Sequence, residues 1–335
     1  MKRNATLAAL ALCLGVLSTS ATGTGTDLGQ MSLTQASAQV LDFTTIDVPG
    51  ASATLPRDIN PEGDIVGFYG IGTAFRGYLL HQGIVTDIEV PGATATRPRS
   101  INPQGDIVGF YVAGGVTHGF LFVEGSFTTI DVPGATSTQP FGINPQGDIV
   151  GQYSAGGTLH GFLLDKLGSL TTIEVPGASS TGAFGINPEG DIVGQYSAGG
   201  TTHGFLLDRH SNLTTIDFPG ASSTQAFGVN PRGDIVGLYV SGGANHGFLL
   251  HDGAFITIDV PNASATVAAG ISPSGDIVGQ YTAGGVTHGF LLQESTFTLT
   301  DFPGAASTQA AAINARGDIV GQYAAGGINH GFLAR

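Results

Sequence analysis

The chain has 335 residues, and its 25 acidic side chains outnumber 11 lysines and arginines to give a formal net charge of −14. That balance lacks the basic footprint needed to hold nucleic acid or an anionic membrane surface, so neither is expected as a partner. A single cysteine, Cys13, leaves no internal disulfide and no thiolate metal cluster.

Residues 1–38 stand apart from the rest. Lys2 and Arg3 form a short basic start, Ala5 to Leu17 is an apolar run, and Ala36-Ser37-Ala38 has the small-x-small pattern of a cleavage site. Thr19-Ser20-Ala21 is a second candidate. This reads as a secretory signal peptide and leader, cleaved near 38 or near 21, and the apolar run is too short for a stable membrane span. Cys13 would leave with it. The mature chain, 39–335, is expected to be exported, secreted or periplasmic, with no membrane span.

From residue 43 onward the sequence repeats. Gly-Asp-Ile-Val-Gly recurs with its aspartate at Asp64, Asp106, Asp148, Asp191, Asp234, Asp276 and Asp318, a period of 42 or 43 residues. A period of this size indicates a propeller or a solenoid. Within residues 127–164, Phe127 to Val132 alternates polar and apolar residues and predicts a strand. Pro133-Gly134-Ala135 ends it. Thr138 to Asn144 predicts a second strand, and Asn144-Pro145-Gln146-Gly147 a tight turn. Asp148 to Tyr153 and His160 to Leu164 complete four strands per repeat, the content of a propeller blade.

Composition orders those strands. The small residues before Ile-Asn suit a crowded axis, the Asp-Ile-Val and His-Gly-Phe strands are apolar on both faces, and the Thr-Ile-Asp strand suits the rim. The array opens with a rim strand, Phe43 to Val48, and closes with a third strand, His330 to Leu333. Pairing the two closes the ring and removes open edges. The prediction is an all-β, seven-bladed propeller with four antiparallel strands per blade, a single domain over 39–335, and a monomer.

The pattern Ile-Asn-Pro-x-Gly-Asp-Ile-Val-Gly followed by His-Gly-Phe-Leu resembles the HAF family of probable extracellular repeats, across residues 43–335. Glycine replaces the family's central alanine at His118-Gly119-Phe120 and its later copies, and the first repeat has Arg76-Gly77-Tyr78. The resemblance implies an exported bacterial β-propeller-like protein and places no activity on particular residues. WD-type propellers share the strand phase, but this chain has no tryptophan.

Most residues that could carry chemistry are repeated. His118, His160, His203, His246, His288 and His330 invite a metal reading. Their predicted place on the third strand, roughly 10 Å outside the innermost one, sets neighbouring copies too far apart to share an ion. Hydrogen bonding to a nearby loop is the expected role. The Gly-Asp aspartates read as hairpin anchors, and the asparagines at 60, 102, 144, 187, 230 and 314 as turn caps. Rim acids such as Asp131 and Glu174 read as a solvated edge. The Gly-Gly pairs precede no helix and make no phosphate cradle, and no hydrolase elbow or zinc-protease motif occurs. No cofactor is expected.

Specificity should then lie where the copies differ. The position before Gly-Ile-Asn reads Arg57, Arg99, Phe141, Phe184, Phe227, Ala269 and Ala311. Two residues earlier the second repeat has Arg97, Arg76 replaces the repeated histidine, and Asp58 replaces a glycine. Arg57, Asp58, Arg76, Arg97 and Arg99 are therefore the candidate ligand-binding set, an electropositive sector on an acidic ring, with no catalytic residue or metal ligand assigned. Arginine there can hold a carboxylate, a sulfate or a sugar hydroxyl. Phe141, Phe184 and Phe227 either complete an apolar half of the same mouth or pack between blades. Drift in the first repeats, with the arginines paired to Asp58 and Glu62, is the competing explanation. The leading function is a binding or scaffold module for a glycan, peptide or small anionic ligand. The alternatives are a propeller enzyme (lyase, lactonase or glycoside-active), for which Asp58 is the best single residue, and a purely structural exported repeat protein.

Overall fold

The structure, a computed structural model, describes residues 34–35 and 41–335. The expected signal peptide and both cleavage positions fall outside the described residues. Among the described residues every regular element is a β-strand.

One repeat shows how the sequence builds the unit. Strands Ser137–Ile143, Ile149–Ala155, Thr158–Leu164 and Leu170–Ile173 pair antiparallel in that order, from innermost to outermost. The first turn is closed by Asn144, whose Oδ1 accepts the Asp148 N–H at 2.8 Å and whose Nδ2 donates to Asp148 Oδ2 at 3.1 Å. Gly147 sits in that turn at φ +90°, where a side chain would be strained. The asparagine thus does the capping expected of it. The aspartate accepts from the asparagine side chain and donates its own N–H back.

Alternation across the sheet gives each face a different neighbour. Ile149 and Phe162 pack with Val108 of the preceding repeat, and Val150 packs with Ile192 and Phe205 of the following one. An Ile-Val pair is thereby buried on both sides, which explains why this strand has no polar face. The result is an all-β propeller in which sheets stack face to face: two have four strands, one has five because Thr34–Gln35 adds parallel to Thr296–Leu299, and the rest run together as one of sixteen. Isolated parallel bridges such as Phe75 to Ala95 tie a third strand to the next innermost one and run neighbouring sheets together.

The two ends meet as the strand order predicts. Phe43–Ile46 pairs antiparallel with Ile328–Ala334, Phe43 opposite Ala334 and Ile46 opposite Gly331. Val320, near the end of the chain, packs with Ile46, Ile59 and Ile65. Asn314 Nδ2 donates to the Asn60 carbonyl at 3.0 Å, continuing the run of bonds in which Asn60, Asn102, Asn144 and Asn187 each donate to the next repeat's carbonyl.

Two features were not foreseen. Each innermost strand carries a β-bulge, as at Pro140/Gly142, where Phe141 is the extra residue. Gly151 lies opposite, and a Cβ there would collide with the Gln139 carbonyl oxygen, so glycine is needed for the close approach of the bulged strand. The repeated histidines, in turn, bond to the rim acids. His118 stacks on Tyr111 with centroids 5.1 Å apart, and its Nδ1 lies 2.9 Å from Asp131 Oδ2. His160 meets Glu174 and His330 meets Asp47 in the same way. The rim acids are thus partners in side-chain pairs that fasten the third strand to the outer one.

Candidate functional site

The bulge makes the site. An extra residue in a strand leaves the ladder and is re-aimed, and here the extra residues are Arg57, Arg99, Phe141, Phe184, Phe227, Ala269 and Ala311. They come from the innermost strands and converge on one cavity of about 290 Å³, lined also by Asp58 and Ser100. A position at which the repeats differ sharply in character is therefore one that the backbone turns toward the axis.

The arginines are half-buried, and no carboxylate of the described residues pairs with them. Arg57 Nε, Arg97 Nε and Arg99 Nε are buried without a hydrogen-bond partner, and none of the three guanidinium groups forms an ion pair with any described residue. Asp58 and Glu62, the carboxylates that could have neutralised them, do not. The cations rest on rings instead. Arg57 lies 4.9 Å from the Phe68 centroid, Arg97 lies 4.2 Å from Phe75 and 5.4 Å from Phe68, and Arg99 lies 5.1 Å from Phe110 and 5.9 Å from Phe141. Phe68 and Phe110 each lie within reach of two guanidinium groups.

Electrostatics agree with an unsatisfied cluster. Burial lowers Arg57 and Arg97 below the ordinary guanidinium value. Arg99 falls to about 10, first through burial and then through repulsion from Arg57 and Arg97. Asp58 moves the other way. Burial raises its carboxyl above the usual range, against bonds from the Ile101 N–H at 3.0 Å, the Ser100 hydroxyl at 2.8 Å and the Ile59 N–H at 2.9 Å. Two of these donors belong to the second repeat, so Asp58 ties the first two innermost strands together beside the arginines.

Arg76 lies apart from this group. Its Nε meets Glu89 Oε1 at 2.7 Å, with both side chains 43% exposed, and the pair takes the place of the His–acid pair of the other repeats. Of the five predicted residues the structure brings Arg57, Asp58, Arg97 and Arg99 together and leaves Arg76 at the rim. Sequence reasoning missed Phe68, Phe75, Phe110 and Tyr78. The signal was present: the residue after Gly-Asp-Ile-Val-Gly is Phe68 and Phe110 in the first two repeats and Gln152, Gln195, Leu238, Gln280 and Gln322 afterwards. Tyr78 replaces a repeated phenylalanine, and its hydroxyl is fully buried without a partner.

No protein-family model matches the chain, and no curated protein matches it. Solved structures do. A streptogramin B lyase is 16% identical over 88% of this chain and 97% of its own, with a TM-score of 0.58. Virginiamycin B lyase from Staphylococcus aureus is 12% identical over 88% of this chain and 100% of its own, with a TM-score of 0.60. The β-propeller domain of the Trilobed protease from Pyrococcus furiosus is 12% identical over 85% and 94%, with a TM-score of 0.61. At these identities the likeness shows the propeller fold alone. The Pyrococcus domain is described as having an open velcro topology, whereas here Phe43–Ile46 pairs with Ile328–Ala334.

Proposed function

We propose that this chain is an exported, seven-bladed propeller of the HAF type that binds a small anionic ligand in its axial cavity through Arg57 and Arg99, with Arg97 adding positive charge beside them. The blade count is supported by the sevenfold sequence period and by the contacts joining the first and last repeats. The binding reading rests on one observation: three clustered, partly buried guanidinium groups without a carboxylate, in a chain rich in carboxylates. Unpaired buried charge is costly. Phenylalanine or alanine occupies the bulge position of Arg57 and Arg99 in the later repeats, and Gln, Gly or Val the position of Arg97, so the repeat unit forms without these arginines. A bound anion would offset what they cost. Such an anion would gain charge-assisted bonds from half-buried guanidinium groups.

The test is calorimetric unfolding of the mature protein with sulfate, phosphate or acetate at fixed ionic strength, beside a variant with Arg57, Arg97 and Arg99 all changed to Gln. A saturable rise in Tm for one anion, absent in the variant, is the expected result. Equal, non-saturating responses to every salt would remove the anion site and leave a structural repeat protein.

A second reading is an enzyme. It is favoured by Asp58, whose carboxyl burial pushes above the usual carboxylate range at the wall of the cavity, a shift in the direction a general acid needs beside a bound anion. Two of the structures sharing the fold are named as lyases. Turnover by the wild type that is lost in Asp58→Asn while ligand binding persists would support this reading over simple binding.

A further inference from the structure

The wall of the axial cavity is divided, and the division says what kind of anion it takes. Arg57 and Arg99 stand on neighbouring innermost strands, and the next three bulge positions are Phe141, Phe184 and Phe227. Phe141 and Phe184 meet edge to face with centroids 5.7 Å apart, and Phe184 and Phe227 follow at 6.5 Å. The three rings form one continuous arc. They are only half-buried, so the packing between sheets does not use up their apolar surface. Beyond them come Ala269 and Ala311, which leave room. Arg99 touches both halves, lying 5.9 Å from the Phe141 ring.

We propose that the axial cavity binds an amphipathic carboxylate, its carboxylate held by Arg57 and Arg99 and its aromatic or branched apolar body laid on Phe141, Phe184 and Phe227. This deepens the anion-site reading and rests on it. An inorganic anion would engage the arginines and leave the phenylalanine arc in contact with water, forgoing the gain from burying apolar surface. A cavity of about 290 Å³ lies at the lower edge of the ~300–1,000 Å³ range of small-molecule sites and fits a small acid better than an oligosaccharide or a peptide segment. A single-ring acid matches both the size and the split between charge and apolar surface.

Isothermal titration of the mature protein with 3-phenylpropionate, its neutral analogue 3-phenylpropanol, acetate and sulfate decides the matter on the wild type alone. The expected order puts 3-phenylpropionate about tenfold or more tighter than acetate and than the alcohol, a preference consistent with burying one ring face. Phe184→Ala should reduce 3-phenylpropionate to the level of acetate, and Arg99→Gln should weaken every anion. Phe184→Leu, which keeps an apolar side chain in the arc, should retain most of the preference. Acetate or sulfate binding as tightly as 3-phenylpropionate would overturn the amphipathic ligand and leave the anion site intact. Absence of binding by any anion would overturn both, and tight binding of 3-phenylpropanol would overturn the role of the arginines.

Discussion

Changing Arg99 to Gln should make the empty protein more stable and the ligand-bound protein less so. Lowering the guanidinium from its ordinary value to about 10 corresponds, at about 1.4 kcal/mol per pH unit, to about 3 kcal/mol against the charged native form. The side chain keeps some contact with solvent, and screening reduces that to about 2 kcal/mol. The variant also loses the contacts with Phe110 and Phe141, worth about 0.5–1 kcal/mol at such a site. The net expectation is a gain of about 1 kcal/mol, or about 2 °C in Tm for a domain of this size. Because the native value lies below the unfolded one, both states are charged at neutral pH and the penalty is fully present there. It fades as pH rises through about 10 and the native state releases its proton, so the variant's advantage should shrink above that pH. Ligand at about a hundred times the wild-type Kd should add about 2.7 kcal/mol to the wild type and less to the weaker-binding variant, and reverse the order if the variant's affinity falls by tenfold or more. Differential scanning calorimetry at pH 7, with and without ligand, reads all of this. A variant that is less stable than the empty wild type by more than about 1 kcal/mol would refute the reasoning, because Arg99 would then be a structural residue.

Two other substitutions test the same neighbourhood. Asp58→Asn should leave stability at pH 7 unchanged or raised by about 1 kcal/mol, because a carboxyl with a raised native value weakens the fold once the unfolded chain ionises above about pH 4. Urea unfolding at pH 3.5 and 7 checks it, and the two proteins should converge at the lower pH. Tyr78→Phe restores the residue used by the other repeats and removes a buried hydroxyl with no partner, so a gain of about 1 kcal/mol is expected in thermal unfolding. A loss would mean that the hydroxyl has a partner in solution, with Arg57 the nearest candidate.

The fold was legible because its signals are repeated. Gly-Asp-Ile-Val-Gly set the period, the Asn-Pro-x-Gly turn fixed where hairpins close, and the mismatch between Phe43–Val48 and His330–Leu333 placed the strand that joins the ends. The arginines were legible for the opposite reason, as departures from the repeat. The bulge was not, since it arises from the approach of the innermost strand over Gly151 and its counterparts, and a required glycine looks in sequence like any other. Arg76 was misgrouped because nearness in sequence suggested nearness in space. Its strand carries it outward to Glu89, two strands from Arg57. The rings beneath the guanidinium groups were missed because Phe68 and Phe110 sit in a run that looks like core, and only comparison of copies separates them from Gln152 and Gln195.

Joining the ends has a consequence for how the chain is made. The strand Phe43–Ile46 is synthesised before all the repeats that separate it from its partner Ile328–Ala334, so one edge must wait for about 280 residues. At about 5–20 residues per second that interval is roughly 15–60 s. Contacts so distant in sequence are slow to form even in a complete chain, and closure should be the final step of folding. Until it occurs, the edge of the newest sheet is exposed to any other strand that can pair with it. Nearly identical repeats supply many such strands, in the same chain and in its neighbours. The hazard for this protein is therefore mispairing between copies, and its severity is set by how quickly the last strand reaches the first.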